Sequence, residues 1–208
     1  MKQPVLTDIL PIVRAAGEII LRREGAAAIR TKAAQDFVTE VDFRVQSYIC
    51  ARLRAEWPDI QFMGEEQDNS HLDFSKPYWV LDPIDGTTNF IHDFKASVIS
   101  LALVLEHQPI FGVVYNPYTD EEFTGIQGGG AYLLSADGKT VLLCSPIAEE
   151  IELAASVTAV ADGAFSGNNH TTKVKLPGVT KLGNHAFANC EELASVEFGK
   201  LTYIGDSA

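Results

Sequence analysis

Asp82 and Asp85 stand three residues apart at the end of an apolar run, within Trp79-Val80-Leu81-Asp82-Pro83-Ile84-Asp85-Gly86-Thr87-Thr88-Asn89-Phe90. Pro83 fixes its own φ and pushes Asp82 towards extended geometry, so the pair cannot lie in a helix. Gly86 lets the backbone turn sharply beyond Asp85. Two hard oxygen ligands are thus followed at once by backbone N–H groups and the hydroxyls of Thr87 and Thr88. Such an order suits a magnesium ion with a phosphate beside it. A bare D-x-x-D-G is more often an ordinary Asp-Gly turn after a strand; the full twelve residues are more specific.

Two further segments bring acidic residues to element ends, where sites are usually built. Asp36-Phe37-Val38-Thr39-Glu40-Val41-Asp42 leads into a run with Phe43, Val45, Ile49 and Leu53 near helical spacing. Asp42 then lies at a helix start, where free N–H groups and the dipole favour a carboxylate; alone it reads as a helix cap. Ile60-Gln61-Phe62-Met63 reads as a short strand ending in Gly64-Glu65-Glu66. Taken alone, that end is a solvated acidic loop.

With these pieces in place the chain resembles the inositol monophosphatase-like magnesium-dependent phosphatases. The matching stretches are Lys32 with Asp36 to Asp42 (D-F-V-T-E-V-D), Gly64-Glu65-Glu66, and Asp82 to Phe90 (D-P-I-D-G-T-T-N-F). Phe111-Gly112-Val113-Val114-Tyr115-Asn116-Pro117 and Gly128-Gly129-Gly130-Ala131-Tyr132 continue the match in the family's order, over about residues 1–132. The resemblance implies that Glu65, Asp82 and the carbonyl of Ile84 hold one Mg2+, and that Asp82 and Asp85 contribute to a second. It implies that Thr87 orients the attacking water with Asp42 behind it as hydrogen-bond partner. It also implies that the N–H groups of Gly86 and Thr87 hold the phosphate, with Lys32 on a mobile loop above. Two clamped metals can neutralise the transferring group, activate water and stabilise the leaving alkoxide, so no nucleophilic His or Cys is required. Fructose bisphosphatase and phosphonucleotide phosphatase relatives share the D-P-x-D-G core, and Thr87-Thr88-Asn89-Phe90 leans towards the inositol branch.

Beyond Tyr132 the resemblance implies about as much chain again, with a second sheet layer, much of the sugar-recognition surface and a third aspartate in a Trp-Asp context. Here Trp57 and Trp79 precede Pro58 and Val80, so that carboxylate has no candidate and the phosphatase portion reads as truncated. A repeat follows instead. Val157-Thr158-Ala159-Val160-Ala161-Asp162-Gly163-Ala164-Phe165 is echoed by Val179-Thr180-Lys181-Leu182-Gly183-Asn184-His185-Ala186-Phe187, and again by Leu201 to Ala208, each copy 22 residues after the last. Val174-Lys175-Leu176-Pro177 aligns with Val196-Glu197-Phe198-Gly199. A period in the low twenties with a recurring Ala-Phe pair is a solenoid signature. It resembles the bacterial surface-protein type of leucine-rich repeat, and Leu133 to Cys144 resembles the hairpin that often precedes such arrays. The expected organisation is residues 1–132 as the first portion of the phosphatase domain and 133–208 as an incomplete repeat segment. Either a fragment of a longer protein or a chimeric gene accounts for that join.

Composition limits the alternatives. A net charge of −12, from 28 acidic and 16 basic residues, disfavours nucleic acid and anionic membranes as partners. An acidic protein acting on phosphate must neutralise its own site, which again calls for cations. Cys50, Cys144 and Cys190 lack C-x-x-C spacing and read as reduced, mostly buried thiols with no zinc site. The N-terminus reads as an amphipathic helix from about Thr7, with no signal peptide and no membrane span, so a cytoplasmic location is expected.

The positioning elements follow from patterning. A helix from Thr7 to about Glu24 carries Ile9, Ile12, Val13, Ala16, Ile20 and Leu21 on one face, and Pro11 requires that it lie in the first turn. A second helix is expected from Asp42 to about Glu56. Strands are expected near Gln61–Met63, Tyr78–Leu81, Ser97–Leu105, Ile110–Tyr115 and Glu122–Ile126. This order predicts an α+β fold, a helix pair on a mostly antiparallel sheet, followed by the β-rich repeats. One sheet face is left uncovered, which predicts a partner subunit such as a homodimer mate, a contact with the repeats, or poor solubility. Two functions from different classes follow: a Mg2+-dependent phosphomonoesterase acting on inositol monophosphate or a similar small sugar phosphate, impaired by the missing half; or a non-catalytic module whose repeats bind a protein partner on a relic scaffold.

Overall fold

The computed structural model describes residues 3–33, 36–135, 137–145 and 148–208, with backbone alone at Lys32, Ala33 and Asp36. The chain divides into two compact units, Met1–Asp120 and Glu121–Ala208.

The first unit begins with helix α1 (Leu6–Arg22), whose first turn is closed by Val5 N–H donating to Asp8 Oδ2 at 3.2 Å. Pro11 lies in the second turn, not the first. Its missing N–H removes the bond that residue 11 would donate to the Thr7 carbonyl, and the cost is small because both residues are exposed to solvent. A hairpin absent from the sequence reading follows, β1 (Ile29–Ala33) antiparallel to β2 (Asp36–Thr39). Helix α2 (Glu40–Glu56) starts two residues earlier than Asp42 because Thr39 is the cap: its hydroxyl accepts from Val41 N–H. Strands β3 (Gln61–Gly64) and β4 (Tyr78–Asp85) are parallel; the short helix α3 (Thr87–Ile91) leads to β5 (Val98–Leu105) and β6 (Gln108–Asn116), both antiparallel to their neighbours. The sheet order is β6-β5-β4-β3.

Both long helices bury one stripe against one face of this sheet, the layered α+β arrangement expected. Ile9, Val13, Ala16 and Ile20 of α1 and Val41, Val45, Ile49 and Leu53 of α2 are buried, as are Leu81, Ile99, Leu101, Phe111 and Val113 on the strands these helices contact. Each such side chain contributes about 1.5–3 kcal/mol when fully buried. Leu21, assigned to the same face from sequence, is exposed because it falls beyond the edge of the stripe. Trp79 lies at the centre of the core, with ring centroids 5.7 Å from Trp57 and 6.0 Å from Phe111.

The second unit opens with an antiparallel meander, β7 (Glu121–Ile126), β8 (Gly130–Leu134) and β9 (Thr140–Ser145). It continues as a coil whose short strands stack in two parallel ladders. One is β10 (Glu150–Glu152), β12 (Lys173–Leu176) and β14 (Ser195–Phe198); the other runs from β9 through β11 (Ala159–Val160), β13 (Lys181–Leu182) and β15 (Tyr203–Ile204). The 22-residue rhythm has a physical cause in repeated polar steps. Asp162 Oδ1 accepts from Asn184 N–H at 2.7 Å, and Asn184 Oδ1 accepts from Asp206 N–H at 2.8 Å. Thr180 N–H and Thr202 N–H donate to the threonine carbonyl one rung before, at 2.8 and 2.9 Å. Inside, Phe165 stacks on Phe187 with centroids 4.7 Å apart. A Cβ on Gly183 would sit 2.4 Å from Asp162 N, so the rungs approach this closely only over glycine. Between β10 and β12 the step is 23 residues, as the Lys175–Glu152 pair at 3.2 Å records. Among the described residues no helix is long and apolar enough to cross a membrane.

Candidate metal and phosphate site

Strand β4 runs through Asp82 to Asp85 and carries a bulge on the way. Asp82 pairs with Ser100 and Asp85 with Val98, so Pro83 and Ile84 together oppose Ile99. Side chains alternate along a strand, and residues three apart would normally face opposite ways. The extra residue returns Asp85 to the face that carries Asp82. Pro83 fits there because a bulged position need not donate to the ladder. This face is the one turned away from the helix pair, since Leu81, Ile84 and Ile99 take the buried side.

Glu65 follows β3 directly and extends its pairing, with Glu65 N–H donating to Leu81 O at 3.1 Å. Its carboxyl hydrogen-bonds that of Asp82. Burial, the charge and hydrogen bond of Glu65, and the charge of Asp85 together push the Asp82 carboxyl up to about 7. Glu65 and Asp82 line a cleft of about 420 Å³ with Met63, Gly64, Asn69, Val80 and Leu81. The donors are all oxygen and anionic, a set suited to a hard cation such as Mg2+. Among the described residues, no three Asp, Glu, His or Cys side chains form a preformed metal cage. Asp85 therefore acts on Asp82 through its field, beyond the carboxylate pair.

The chain then turns at Gly86, whose φ of +89° and whose would-be Cβ, 3.1 Å from Ala96 O, exclude a side chain. Thr87, the first residue of α3, places Oγ1 2.9 Å from Ile84 O and 3.3 Å from Asp42 Oδ1. The other Asp42 oxygen accepts from Thr39 N–H at 2.8 Å and Thr39 Oγ1 at 2.6 Å. Asp42 is thus both the third residue of a capping box and the partner of Thr87. It is only 1% exposed, and this burial raises its carboxyl above the usual range despite the hydrogen bonds from Thr39 and Thr87.

Glu65, Asp82, Ile84, Asp85, Gly86, Thr87 and Asp42 are therefore brought together. The side chain of Lys32 lies outside the described residues; its backbone is in β1. Several supporting groups were missed from sequence. Arg23, at the end of α1, donates to Phe90 O at 2.8 Å, pairs with Asp93 at 3.0 Å and covers the Phe90 ring at 4.6 Å, anchoring α3. Gln46 and Asn69 bind the loop around Glu65. Only the positive charge of Arg23 near a C-terminal helix turn gave a signal; the amides gave none.

A helix pair on a mixed sheet, with carboxylates gathered by a bulge beside a Gly-Thr turn, defines a layered α+β protein of the sugar-phosphatase type. The profile of the inositol monophosphatase family matches residues 1–198, and the chain belongs to that family. The match passes beyond residue 132, where sequence reading placed its end. Inositol monophosphatase 3 of Solanum lycopersicum is 42% identical over 136 residues, covering 62% of this chain and 49% of the relative. Inositol monophosphatase of Dictyostelium discoideum is 36% identical over 132 residues, 62% of this chain and 48% of the relative. The chain spans about half the length of the curated relatives it matches. Among solved structures, the extragenic suppressor protein suhB of Bartonella henselae superposes with a TM-score of 0.58 at 25% identity, covering 76% of this chain and 62% of that one. An IMPase of Thermotoga maritima gives 0.57 at 26% identity, covering 81% and 66%.

Proposed function

We propose that this chain carries the site of a Mg2+-dependent phosphomonoesterase acting on inositol monophosphate or a similar small phosphorylated polyol or sugar. The observation that carries the reading is the Asp82 carboxyl, hydrogen-bonded to Glu65 and turned to the same face as Asp85 by the bulge. Glu65, Asp82 and the Ile84 carbonyl would hold one ion, and Asp82 with Asp85 would contribute to a second. With Asp82 and Asp85 as the carboxylates assigned to it, the second ion would be held weakly and turnover would be slow. When bound, Mg2+ supplies charge neutralisation on the phosphoryl group and a water of lowered pKa. The machinery occupies residues 1–132, with 133–208 as an appended repeat segment.

Thr87 has a single hydroxyl hydrogen and two acceptors in reach, Ile84 O at 2.9 Å and Asp42 Oδ1 at 3.3 Å. Turned to Asp42, the hydroxyl releases the Ile84 carbonyl and directs a lone pair at a water, which it orients for attack. Gly86 and Thr87 N–H groups and Lys32 hold the phosphate oxygens. The water oxygen bonds to phosphorus as the bond to the polyol oxygen breaks; the attacking water gives up one proton to solvent and the alkoxide takes one, leaving the free polyol and hydrogen phosphate. The test is phosphate release from myo-inositol 1-phosphate across a Mg2+ titration, with Asp82→Asn and Thr87→Ala. Mg2+-dependent release lost in Asp82→Asn supports the proposal; release equal in wild type and Asp82→Asn overturns it.

A second reading rests on the ladder β10-β12-β14, whose outer face alternates charge: Lys173 pairs with Glu197 at 2.9 Å and Lys175 with Glu152 at 3.2 Å. In that reading the coil, as a leucine-rich repeat segment, binds a protein partner on a non-catalytic scaffold. A folded chain without Mg2+-dependent turnover favours it.

A further inference from the structure

Asp42 and Gln46 lie four residues apart on α2 and so share one face of that helix. Asp42 reaches Thr87. Gln46, only 8% exposed, reaches the other half of the site: its Oε1 accepts from Glu66 N–H at 3.0 Å. The same amide lies over Gly64, where a Cβ would fall 2.4 Å from Oε1. Gly64 is therefore small because Gln46 occupies the space beside it. From the other side Asn69 Nδ2 donates to Gly64 O at 2.7 Å, and Gln67 Nε2 holds Asn69 Oδ1 at 3.0 Å. With Glu65 N–H on Leu81 O, the peptides on both sides of Glu65 are fixed, while the Glu65 side chain itself is exposed. A ligand on a loop would otherwise lose conformational freedom on binding an ion, and supporting hydrogen bonds remove that loss beforehand.

We propose that Gln46, assisted by Asn69, is a positioning residue that sets the Glu65 backbone for cation binding, so that α2 supports both the water-orienting and the ion-holding halves of the site. The inference rests on Glu65 being an ion ligand. A neutral amide suits this role because it supplies an acceptor to Glu66 N–H without adding a fourth negative charge beside Glu65, Asp82 and Asp85.

The test is Mg2+ titration by calorimetry of wild type, Gln46→Leu, Gln46→Glu, Glu65→Gln and the double variant Gln46→Leu/Glu65→Gln, with hydrogen exchange of the Glu66 amide. Gln46→Leu is expected to weaken Mg2+ binding about 10- to 100-fold and to speed exchange at Glu66. Gln46→Glu keeps the acceptor for Glu66 N–H and is expected to retain that protection, while its added charge acts on the affinity separately. The double variant should bind no more weakly than Glu65→Gln alone, because Gln46 acts through Glu65. Unchanged affinity in Gln46→Leu beside a weakened Glu65→Gln overturns the positioning role alone. Unchanged affinity in Glu65→Gln overturns the ligand reading and the inference with it. Should Gln46→Leu not fold, the comparison moves to Asn69→Ala and Gln46→Glu, where loss of Glu66 protection in Gln46→Glu is the overturning result.

Discussion

Binding of Mg2+ should release a proton, and the affinity should rise with pH through neutrality. Asp82 is pushed up to about 7 by burial, by Glu65 and by Asp85. A cation bound by Asp82 and Glu65 must displace the proton they share. With one competing proton near 7, the site is about nine-tenths protonated at pH 6 and about one-tenth at pH 8, so the apparent affinity should rise about tenfold over that span. Calorimetry in two buffers of different ionisation enthalpy measures the release directly: about 0.9 proton per ion at pH 6 and about 0.1 at pH 8. In Glu65→Gln the neighbouring charge and its hydrogen bond are gone, so the rise should move to lower pH. A pH-independent affinity without proton release would refute the reasoning, because the carboxyl pair would then play no part in holding the ion.

Asp42 binds its proton more tightly folded than unfolded, because burial raises it. Its contribution is therefore largest in acid and declines as pH rises above about 4 through the folded value, so the stability difference between wild type and Asp42→Asn should fall from pH 4 to 7 in urea melts. Gly86→Ala forces a side chain into φ +89° against Ala96 O and should cost about 1–3 kcal/mol, with loss of Mg2+-dependent phosphate release. Phe165→Ala removes a ring that is 1% exposed and stacked on Phe187, and should destabilise the second unit by about 3–5 kcal/mol, read by hydrogen exchange over residues 148–208.

Local chemistry was legible in the sequence wherever a residue type restricts the backbone. Pro83 and Gly86 punctuated the turn, and Asp82, Asp85, Thr87 and Asp42 fell where that punctuation put them. The two long helices and the strands from Gln61 to Ile126 were marked by their apolar periods. Less was legible where pairing decides. The bulge that turns Asp85 onto the face of Asp82 depends on the register against Val98 and Ser100, which no local pattern encodes. Strand β1, Ile29–Ala33, lacks a run of β-formers and is set by its pairing with β2, where Phe37-Val38-Thr39 is too short a run to mark a hairpin by itself. Thr39 rather than Asp42 caps α2 because Asp42 serves at the third helical position, a distinction the spacing left open. Pro11 misled in the other direction, since an exposed second turn tolerates the missing bond. The repeat was visible because Asp162, Asn184 and Asp206 recur once per rung in the same hydrogen-bonded position.

The most direct test of the central claim is Mn2+ titration followed by electron paramagnetic resonance, which counts free ions in solution. The wild-type chain should take up Mn2+ competitively with Mg2+, and Asp82→Asn should leave the ions free at the same concentrations. Equal uptake by both, in folded protein, would contradict the assignment of the Asp82–Glu65 pair as the cation site.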